Sequence, residues 1–385
     1  MAYHITATIY LTWIDIIFSV ILFMYLLTFL SIFTGWQRLP EVKPGKSEKP
    51  VTVSIIVAAR NESNTLPYLL NDLYKQEYSN ELYDIIVVDD HSDQPVSGLN
   101  EVRSFRGHNL KVLELPEGKQ GKKHALQEGI KKSYSELILF TDADCRMGPL
   151  WIQTFVKKYT QNSPELIIGL TEYESQPGIF QSFFRTDLMS LVISGAGTAS
   201  LGFATLCNGA NLAVKRITFN QYVFDLKLHI PSGDDIYLLH AIKKHSRKAI
   251  SVLKSKDAVV YTKPPDNFSE FMNQRIRWSS KGARYHDPAT ILLALTVFLT
   301  NIAILISPVF CLFELSRWYV FFSLLVMKIC ADCLVLIPGS RFFGRGKTML
   351  FFPVYELFYP FYATITPFLG MFKTYSWKGR KGKEK

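Results

Sequence analysis

Apolar residues are concentrated near the two ends of the chain, whereas the middle alternates between apolar and polar positions. Continuous apolar stretches cover residues 13–34, 291–312 and 318–337. Each is long enough to cross a bilayer as an α-helix. A fourth stretch, from Leu350 to Phe372, is broken by prolines, so we expect a kinked span or a re-entrant or interfacial segment there. The pattern predicts a membrane protein with one large polar region.

In the polar middle region, short β-branched and apolar runs alternate with helical patterns. Strands are predicted at residues 51–57, 83–88, 110–115 and 137–141. Helices are predicted to begin near Thr65, capped by Asn61 or Ser63, and near His124. Strands that alternate with helices predict an α/β fold with a mostly parallel, doubly wound sheet. The ligand of such a sheet is expected at the carboxyl ends of the strands.

Polar residues follow three of the four predicted strands. In chain order they are Asn61, Glu62, Asp89, Asp90, Asp142 and Asp144. The last two form an Asp-x-Asp pair that suits a hard divalent cation, such as Mg²⁺, that also holds phosphate oxygens. One such pair by itself is more often a solvated turn. Polar clusters at three strand ends, however, indicate a nucleotide site.

Two common phosphate-binding motifs are excluded by their spacing. A Walker loop ending in Gly121-Lys122 would need glycine at Pro116 and serine or threonine at Lys123. No predicted strand is followed by Gly-x-Gly-x-x-Gly, which disfavours a dinucleotide-binding fold.

The formal net charge of +10 is unevenly distributed and predicts the orientation in the membrane. Basic residues follow the first apolar stretch, namely Arg38, Lys43, Lys46 and Lys49. By the positive-inside rule the N-terminus faces outwards and the middle region is cytoplasmic. The basic tail from Lys373 also belongs inside, which favours two C-terminal spans plus an interfacial or re-entrant third segment. Attraction to anionic lipids explains the charge better than nucleic-acid binding.

The five cysteines do not form a disulfide framework, because their number is odd and three of them lie in apolar stretches. Cys330 and Cys333 form one C-x-x-C pair, for which we expect packing rather than metal binding. The predicted organisation is an N-terminal transmembrane helix (1–37), a linker (38–50), a cytoplasmic α/β domain with interfacial segments (51–285), a C-terminal membrane region (286–372) and a basic cytoplasmic tail (373–385).

Further motifs extend the pattern towards a known family. Gly121-Lys122 and Gly233-Asp234-Asp235 each precede a predicted helix, and residues 274–278 read Gln-Arg-Ile-Arg-Trp. With the strand-end residues, in this order, they resemble the nucleotide-sugar half of family-2 glycosyltransferases. The Gln-x-x-Arg-Trp signature is similar to that of membrane-embedded members, which include cellulose, hyaluronan and poly-N-acetylglucosamine synthases and ceramide glucosyltransferase. The resemblance covers about residues 50–285 and implies a GT-A-like fold.

The resemblance implies a nucleotide-binding role for residues at the first two strand ends. Asp89 or Asp90 would bind the uracil base of the donor, and the two acids are not distinguished at this point. Asn61 and Glu62 belong to the same donor-binding set.

The resemblance also implies a phosphate and metal site. Lys122 would contact phosphate, with Lys119 or Lys123 as alternatives. Asp144 would hold Mg²⁺ or Mn²⁺, with Asp142 close to the metal or to the ribose. Positive charge is needed there because the diphosphate leaving group gains negative charge as the sugar bond breaks.

Asp235 is the expected general base. In an inverting displacement, a carboxylate takes the proton from the acceptor hydroxyl as that hydroxyl attacks the anomeric carbon. Asp234 and Asp235 precede a helical pattern, so helix capping is the competing interpretation. Asp234 stands where the family usually has glutamate, which leaves its role open.

Three residues of the signature, Gln274, Arg277 and Trp278, lie in an amphipathic segment, 268–284, that could rest on the membrane interface. The resemblance places them beside the acceptor and the diphosphate, where Trp stacks on sugar and Arg binds phosphate oxygens. A purely interfacial role is the alternative. The apolar, small-residue-rich region 180–206 predicts either a membrane-surface segment at the acceptor entrance or a core helix. Asn208 and Asn211 are secondary candidates.

These observations predict a multi-pass, metal-dependent, inverting glycosyltransferase whose catalytic domain faces the cytoplasm. The donor is expected to be a nucleotide-diphosphate sugar, a UDP-sugar, and the acceptor a lipid or lipid-linked glycan. A processive polysaccharide synthase of the same family is the alternative. A catalytically silent nucleotide-sugar-binding membrane protein and a nucleotidyltransferase are the rivals from other classes, and no nucleic-acid partner is expected.

Overall fold

The computed structural model of the protein describes residues 2–45, 47, 49–105, 109–223, 233–314, 317–372, 375–377 and 380–382. Lys46 of the predicted linker and, in the predicted basic tail, Lys373, Lys378 and Lys385 lie outside the described residues.

The described residues form α-helices and β-strands in the following chain order. The helices are α1 (Ala2–Arg38), α2 (Leu66–Tyr74), α3 (Asn100–Ser104), α4 (Lys122–Lys131), α5 (Trp151–Asn162), α6 (Ile179–Ser200), α7 (Arg216–Tyr222), α8 (Asp234–His245), α9 (Phe268–Ser279), α10 (Pro288–Cys311), α11 (Trp318–Phe342) and α12 (Phe352–Phe372). The strands are β1 (Val53–Ala59), β2 (Tyr83–Asp89), β3 (Leu110–Glu114), β4 (Leu137–Asp142), β5 (Cys145–Met147), β6 (Leu166–Gly169), β7 (Thr171–Tyr173), β8 (Leu212–Lys215), β9 (Ile250–Leu253), β10 (Val260–Thr262), β11 (Tyr375–Trp377) and β12 (Arg380–Gly382).

Seven strands form the central sheet, in the order β3-β2-β1-β4-β8-β6-β9. The first four are parallel, and β8 runs antiparallel to both of its neighbours. Two smaller sheets contain β5-β10-β7 and β11-β12. The predicted mostly parallel sheet is confirmed, and the four predicted strands are found with their ends displaced by at most two residues.

Both faces of the central sheet are covered by apolar side chains. Successive side chains of β1 point to opposite faces. Ile56 joins one core cluster, together with residues of α4, α6 and α8. Ile55 and Val57 join the other, together with residues of α2 and α5. Each fully buried aliphatic side chain contributes roughly 1.5–3 kcal/mol to folding. These two clusters therefore account for the short apolar runs that predicted the strands of the central sheet.

A buried serine links β1 to both of its neighbours at the end of the sheet opposite the carboxyl ends. The Ser54 hydroxyl donates to the Asp84 carboxylate, and Asp84 is its register partner on β2. It also bonds with the hydroxyls of Ser133 and Ser135, at 2.7 Å and 2.9 Å, just before β4 begins. Since Ser54 is fully buried, a shifted register would leave these polar groups without partners, which is costly.

The expected cap of α2 is wrong. The helix begins at Leu66, with Thr65 in the N-cap position and no side-chain hydrogen bond at the cap. Neither Asn61 nor Ser63 caps it, because Glu62 makes a turn first and accepts the Thr65 amide through its carbonyl at 3.1 Å. Pro67 in the first helical turn is compatible with this start, since the amides of that turn need no helical partner.

Among the described residues, three helices are long and apolar enough to span a membrane, and they coincide with the three continuous apolar stretches. They are α10, α11 and the part of α1 from Trp13 to Arg38. The proline-broken fourth stretch forms α12, which runs through Pro360 and Pro367 and packs along α9 and α10. One face of α12 exposes large apolar side chains, including Leu357, Phe358 and Phe361.

Region 180–206 lies mainly in α6, which packs as a core helix between the sheet and the membrane helices. Met189, Ile193 and Ala196 are buried in the core cluster that includes Ile56. The helix contacts both α1 and α11. Its small residues therefore serve close packing of helices.

Glycines at the crossing of α1 and α6 bring the two backbones together. A methyl group added at Gly197 would lie 2.5 Å from the Ile32 carbonyl oxygen, and one at Gly35 would lie 2.1 Å from the Gly197 carbonyl oxygen. Both distances are far shorter than a normal contact, so only hydrogen fits at these positions. The crossing attaches the first membrane helix to the α/β domain.

We expect Gly197→Ala to destabilise the protein, because the added methyl must push α1 away from α6. Overpacking of this kind typically costs about 1–3 kcal/mol, and thermal unfolding of the detergent-solubilised protein measures it. Gly98→Ala is the matched control, since a methyl at Gly98 meets nothing within 4 Å. Equal melting temperatures for the two variants would contradict the account of the crossing.

Candidate active site

A cleft of about 200 Å³ opens at the carboxyl ends of β1 and β4. Its walls combine cationic, acidic, aromatic and small residues. They are Ala58, Ala59, Arg60, Asp90, Lys122, Asp142, Ala143, Asp144, Tyr173, Leu188, Asn208, Gly209, Ala210, Gly233, Asp234, Asp235, Thr262, Gln274, Arg277, Trp278 and Lys281. Most of the predicted site residues thus meet in one place.

The end of β4 brings Asp142 and Asp144 into this cleft. Asp142 is the last residue of the strand, and Asp144 follows within the turn to β5. The Lys122 ammonium lies 2.5 Å from an Asp142 carboxylate oxygen. The chain delivers Lys122 there because Gly121 adopts a φ of 95° and α4 starts directly after it.

Lys122 is surrounded by carboxylates. Burial by itself would lower the pKa of its ammonium, but the negative charges of Asp142, Asp234 and Asp235 outweigh burial and hold the pKa above its ordinary value. Lys122 therefore stays protonated throughout the physiological range. It places a fixed positive charge among the acids of the cleft.

The structure distinguishes the two acids at the end of β2. Both are buried, Asp89 at 3% and Asp90 at 2% exposed, so their partners and their positions distinguish them rather than their exposure. One carboxylate oxygen of Asp89 accepts from the amide and hydroxyl of Ser92, at 3.0 Å and 2.6 Å, and the other accepts from the Val96 amide at 2.8 Å. Asp90 lines the cleft and accepts the Gly121 amide at 3.0 Å. Asp89 therefore holds the loop, whereas Asp90 is the acid of this pair that lines the cleft.

Asn61 and Glu62 lie beside the cleft rather than in its wall. The Asn61 side chain exchanges two hydrogen bonds with Asp93, at 3.0 Å and 2.9 Å. Glu62 is buried and accepts the Thr65 hydroxyl at 2.6 Å. Their neighbour Arg60 lines the cleft instead, and it donates to the backbone carbonyl oxygens of residues 90 and 91 at 2.7 Å and 2.8 Å.

The start of α8 brings Asp234 and Asp235 into the same cleft. Gly233, with a φ of 86°, is the N-cap residue, so neither acid occupies the capping position. One Asp235 carboxylate oxygen accepts the Gly209 amide at 3.0 Å, and the other accepts the Ile236 amide at 2.8 Å. These two bonds fix the orientation of the Asp235 carboxylate.

Asp234 is perturbed by its surroundings. Burial raises the pKa of its carboxyl group, the positive charge of Lys122 acts in the opposite direction, and repulsion from Asp235 raises the pKa again. The balance is a raised pKa. The charged form of Asp234 is thus disfavoured in the cleft.

Helix α9 contributes Gln274, Arg277 and Trp278 to the lining of the cleft. The helix starts cleanly because the Asn267 side chain accepts the Glu270 amide at 3.0 Å. Spacings of three and four residues place the three side chains on neighbouring positions of one helix face. The Gln274 side-chain oxygen accepts from the Tyr173 hydroxyl at 2.7 Å.

Arg275, the second residue of the signature, faces away from the cleft. Its buried guanidinium pairs with Asp187 of α6 at 2.6 Å and donates to the Gln274 side-chain oxygen at 2.7 Å. It also lies 4.2 Å from the centre of the Trp278 ring. Arg275 therefore holds α9 against α6 and supports two side chains of the cleft.

Two lining cations, Arg60 and Lys281, were not predicted from the sequence. Arg60 directly follows β1, so the rule that selected the acids at other strand ends would also have selected it. Lys281 lies in the turn two residues beyond the end of α9, and no motif in the sequence singles it out. Of the secondary candidates, Asn208 lines the cleft, whereas Asn211 is buried and bonds to the Trp151 indole and to two backbone carbonyls.

The acids of the cleft fit a metal that takes part of its coordination from a ligand. In the described part of the chain, no group of three or more His, Cys, Asp or Glu side chains could hold a metal ion by itself. Asp142 and Asp144 both line the cleft. Two carboxylates completed by substrate phosphates are a typical Mg²⁺ site.

Comparison with known proteins relates part of the chain to glycosyltransferases. Residues 54–188 match the family model described as Glycosyl transferase family 2. Glycosyltransferase AglE of Haloferax volcanii is 24% identical over 230 residues, which cover 58% of this chain and 71% of that protein.

Two further relatives are matched over a smaller part of their length. The poly(ribitol-phosphate) β-glucosyltransferase of Bacillus spizizenii is 24% identical over 56% of this chain and 35% of its own length. The 4,4′-diaponeurosporenoate glycosyltransferase of Staphylococcus aureus is 25% identical over 62% of this chain and 58% of its own length.

A solved structure shares the fold over nearly the whole chain. It is the mannosyltransferase PcManGT from Pyrobaculum calidifontis, in complex with GDP-Man and Mn²⁺. It aligns with a TM-score of 0.59 and 17% identity, and covers 92% of this chain and 98% of that one. Residues 54–188 thus form a domain that matches glycosyl transferase family 2, within a chain that has a GT-A-like sheet and, among its described residues, three apolar helices of membrane-spanning length.

Proposed function

We propose that this protein is a membrane-embedded, inverting glycosyltransferase that uses a divalent metal and transfers a sugar from a UDP-sugar to a lipid or lipid-linked acceptor at the cytoplasmic face. One observation supports the proposal above all others. The predicted metal acids, the phosphate lysine, the base and the Arg-Trp pair come from four separate segments and line one cleft.

The nucleotide half of the cleft lies at the ends of β1, β2 and β4. Asp90 offers a carboxylate that can accept the ring N–H of uracil. Lys122 and Arg277 provide positive charge on two walls of the cleft, where a diphosphate would lie between them. Mg²⁺ or Mn²⁺, held by Asp144 with Asp142, would supply further positive charge to the leaving diphosphate when bound.

Asp235 is placed to remove the acceptor proton. The Gly209 and Ile236 amides donate to its two carboxylate oxygens and hold the carboxylate in one orientation. As the acceptor oxygen bonds to the anomeric carbon, its proton passes to Asp235 and the bond to the diphosphate breaks. Attack on the face opposite the leaving group inverts the anomeric configuration.

A lipid acceptor is supported by the surroundings of α9. The helix that carries Trp278 packs on α12, and α12 exposes an apolar face including Leu357, Phe358 and Phe361. Exposed Phe180 and Phe268 extend this apolar surface at the starts of α6 and α9. An acceptor with an apolar chain would reach the cleft along this surface.

Replacement of the base should stop transfer without preventing nucleotide binding. We expect Asp235→Asn to lower the turnover rate by about 10²–10⁴-fold, the usual contribution of a general base, while the affinity for UDP stays close to wild type. Glu101→Gln is the control, because Glu101 is an exposed acid of α3 that does not line the cleft. If a folded, membrane-inserted Asp235→Asn variant kept the wild-type transfer rate, Asp235 would not be the general base.

Metal removal should weaken both nucleotide binding and transfer. We expect EDTA to lower the transfer rate by about two orders of magnitude, since a metal stabilises leaving-group charge by several kcal/mol, and Mn²⁺ or Mg²⁺ to restore it. Calorimetric titration with UDP should show Mn²⁺-dependent affinity in the wild type and little dependence in Asp144→Asn. Full activity in EDTA would argue against a metal in this site.

Product size distinguishes the lipid acceptor from a growing polysaccharide. We expect the purified protein, given a labelled UDP-sugar and a membrane lipid extract, to make a lipid-soluble product that carries one added sugar. Thin-layer chromatography and mass spectrometry measure the product. A ladder or a polymer would identify a processive synthase instead.

A further inference from the structure

A buried cluster of charged residues connects three helices of the membrane region. Lys328 lies within α11 and is 0% exposed. Its ammonium contacts the Asp332 carboxylate at 2.7 Å on the same helix and the Glu356 carboxylate on α12. The Tyr25 hydroxyl of α1 donates to Asp332 at 2.5 Å. One lysine and two acids are thus withdrawn from water among apolar helices.

Stability alone does not account for such a cluster. Removing charges from water is costly, and apolar residues of similar volume often hold helices together as well or better. Ionisable residues within membrane segments are uncommon and usually mark functional positions. Lys328, Asp332 and Glu356 are 0%, 6% and 3% exposed, so the cluster offers little surface to a ligand. We therefore look for its role in the helices that it joins, namely α1, α11 and α12.

Glu356 belongs to the first part of α12, and α12 lies along α9. The rings of Tyr362 and Phe271 pack with their centres 5.5 Å apart. The Ser279 hydroxyl donates to the Thr366 carbonyl at 3.2 Å. A methyl group at Gly370 would lie 2.4 Å from the Ser279 hydroxyl, so the two helices touch at the end of α9. The position of α12 therefore constrains the position of α9.

A tyrosine connects the charged cluster to this contact. The Lys328 ammonium lies 4.7 Å from the centre of the Tyr359 ring. Tyr359 packs against Tyr362 at 5.6 Å between ring centres, and both rings join the apolar cluster that includes Trp278. Contacts thus run without a break from the membrane cluster to the wall of the cleft.

We propose that Lys328 and Glu356 are positioning residues, whose ion pair fixes α12 and thereby sets the orientation of α9 and of its cleft side chains. This inference rests on the proposed function for its catalytic consequence but not for the structural coupling. The membrane helices, in this account, determine where Gln274, Arg277 and Trp278 stand in the cleft.

Glu356→Met tests the coupling selectively. It removes the bond between α11 and α12 but leaves Lys328 paired with Asp332, so no lone charge remains buried. We expect the amides of α9 to exchange with deuterium about tenfold faster in the full-length protein in nanodiscs, because a local opening becomes easier. Exchange in β1 and β2 should not change.

Two further variants serve as controls. Tyr25→Phe removes a hydrogen bond from the same cluster without touching the α11–α12 pair, and α9 exchange should stay as in the wild type. Glu356→Gln keeps an oxygen that accepts from Lys328 and should restore most of the protection. The proposal is overturned if Glu356→Met leaves α9 exchange unchanged, or if Tyr25→Phe accelerates it equally.

A kinetic measurement separates this proposal from the proposed function. Release of UDP from UDP-glucose, UDP-galactose and UDP-N-acetylglucosamine, with the membrane lipid extract as acceptor, is followed at equal amounts of folded protein. We expect Glu356→Met to lower UDP release by about ten- to a hundredfold, as displaced binding groups typically do. If the wild type releases no UDP from any of these donors, the proposed function fails, while the exchange result still decides the coupling.

Discussion

The register that Ser54 fixes between β1 and its neighbours is the constraint on which the cleft depends. Ser54 bonds to Asp84 on β2 and to the two serines that precede β4. With this register, Ala58 lies opposite Asp142 at the other end of the strands. A shift by one residue would turn Asp142 to the other face of the sheet. A polar contact at one end of the sheet therefore positions the acids at the other.

The charges of the cleft are arranged around Lys122. Its ammonium pairs with Asp142 and interacts electrostatically with Asp234 and Asp235, so it links the end of β4 with the start of α8. Groups fixed before the substrate arrives need little reorganisation as charge develops, which is the main source of electrostatic catalysis. The membrane helices contact α6 and α12, and α12 in turn supports α9, which lines the cleft. The α/β domain and the membrane helices are therefore packed together around the cleft.

The sequence predicts the sheet and the position of the cleft because both depend on local patterns. Apolar runs that stop at acids identify the strand ends, and parallel strands must end at one edge. The choice between Asp89 and Asp90 is not local, since it depends on β2 extending one residue further than expected and on the Val96 amide, seven residues away. Sequence proximity likewise suggested Asn61 and Glu62 for the cleft, yet only Arg60 of that loop lines it.

The contacts between the helices of the membrane region are harder to predict from sequence patterns than the cleft. Lys328 and Glu356 stand on different helices, and nothing in their spacing shows that they meet. The helical continuity of α12 through Pro360 and Pro367 also depends on its packing against α9 and α10. Hydropathy identified the apolar segments. Which of these segments contact each other depends on three-dimensional packing, and that cannot be predicted from a single sequence.

Cryo-electron microscopy of the full chain with UDP and Mn²⁺ tests the central claim most directly. The account predicts the uracil ring beside Asp90, Mn²⁺ bound to Asp144, and the diphosphate between Lys122 and Arg277. Nucleotide density elsewhere on the protein, or a metal bound away from Asp144, would contradict it.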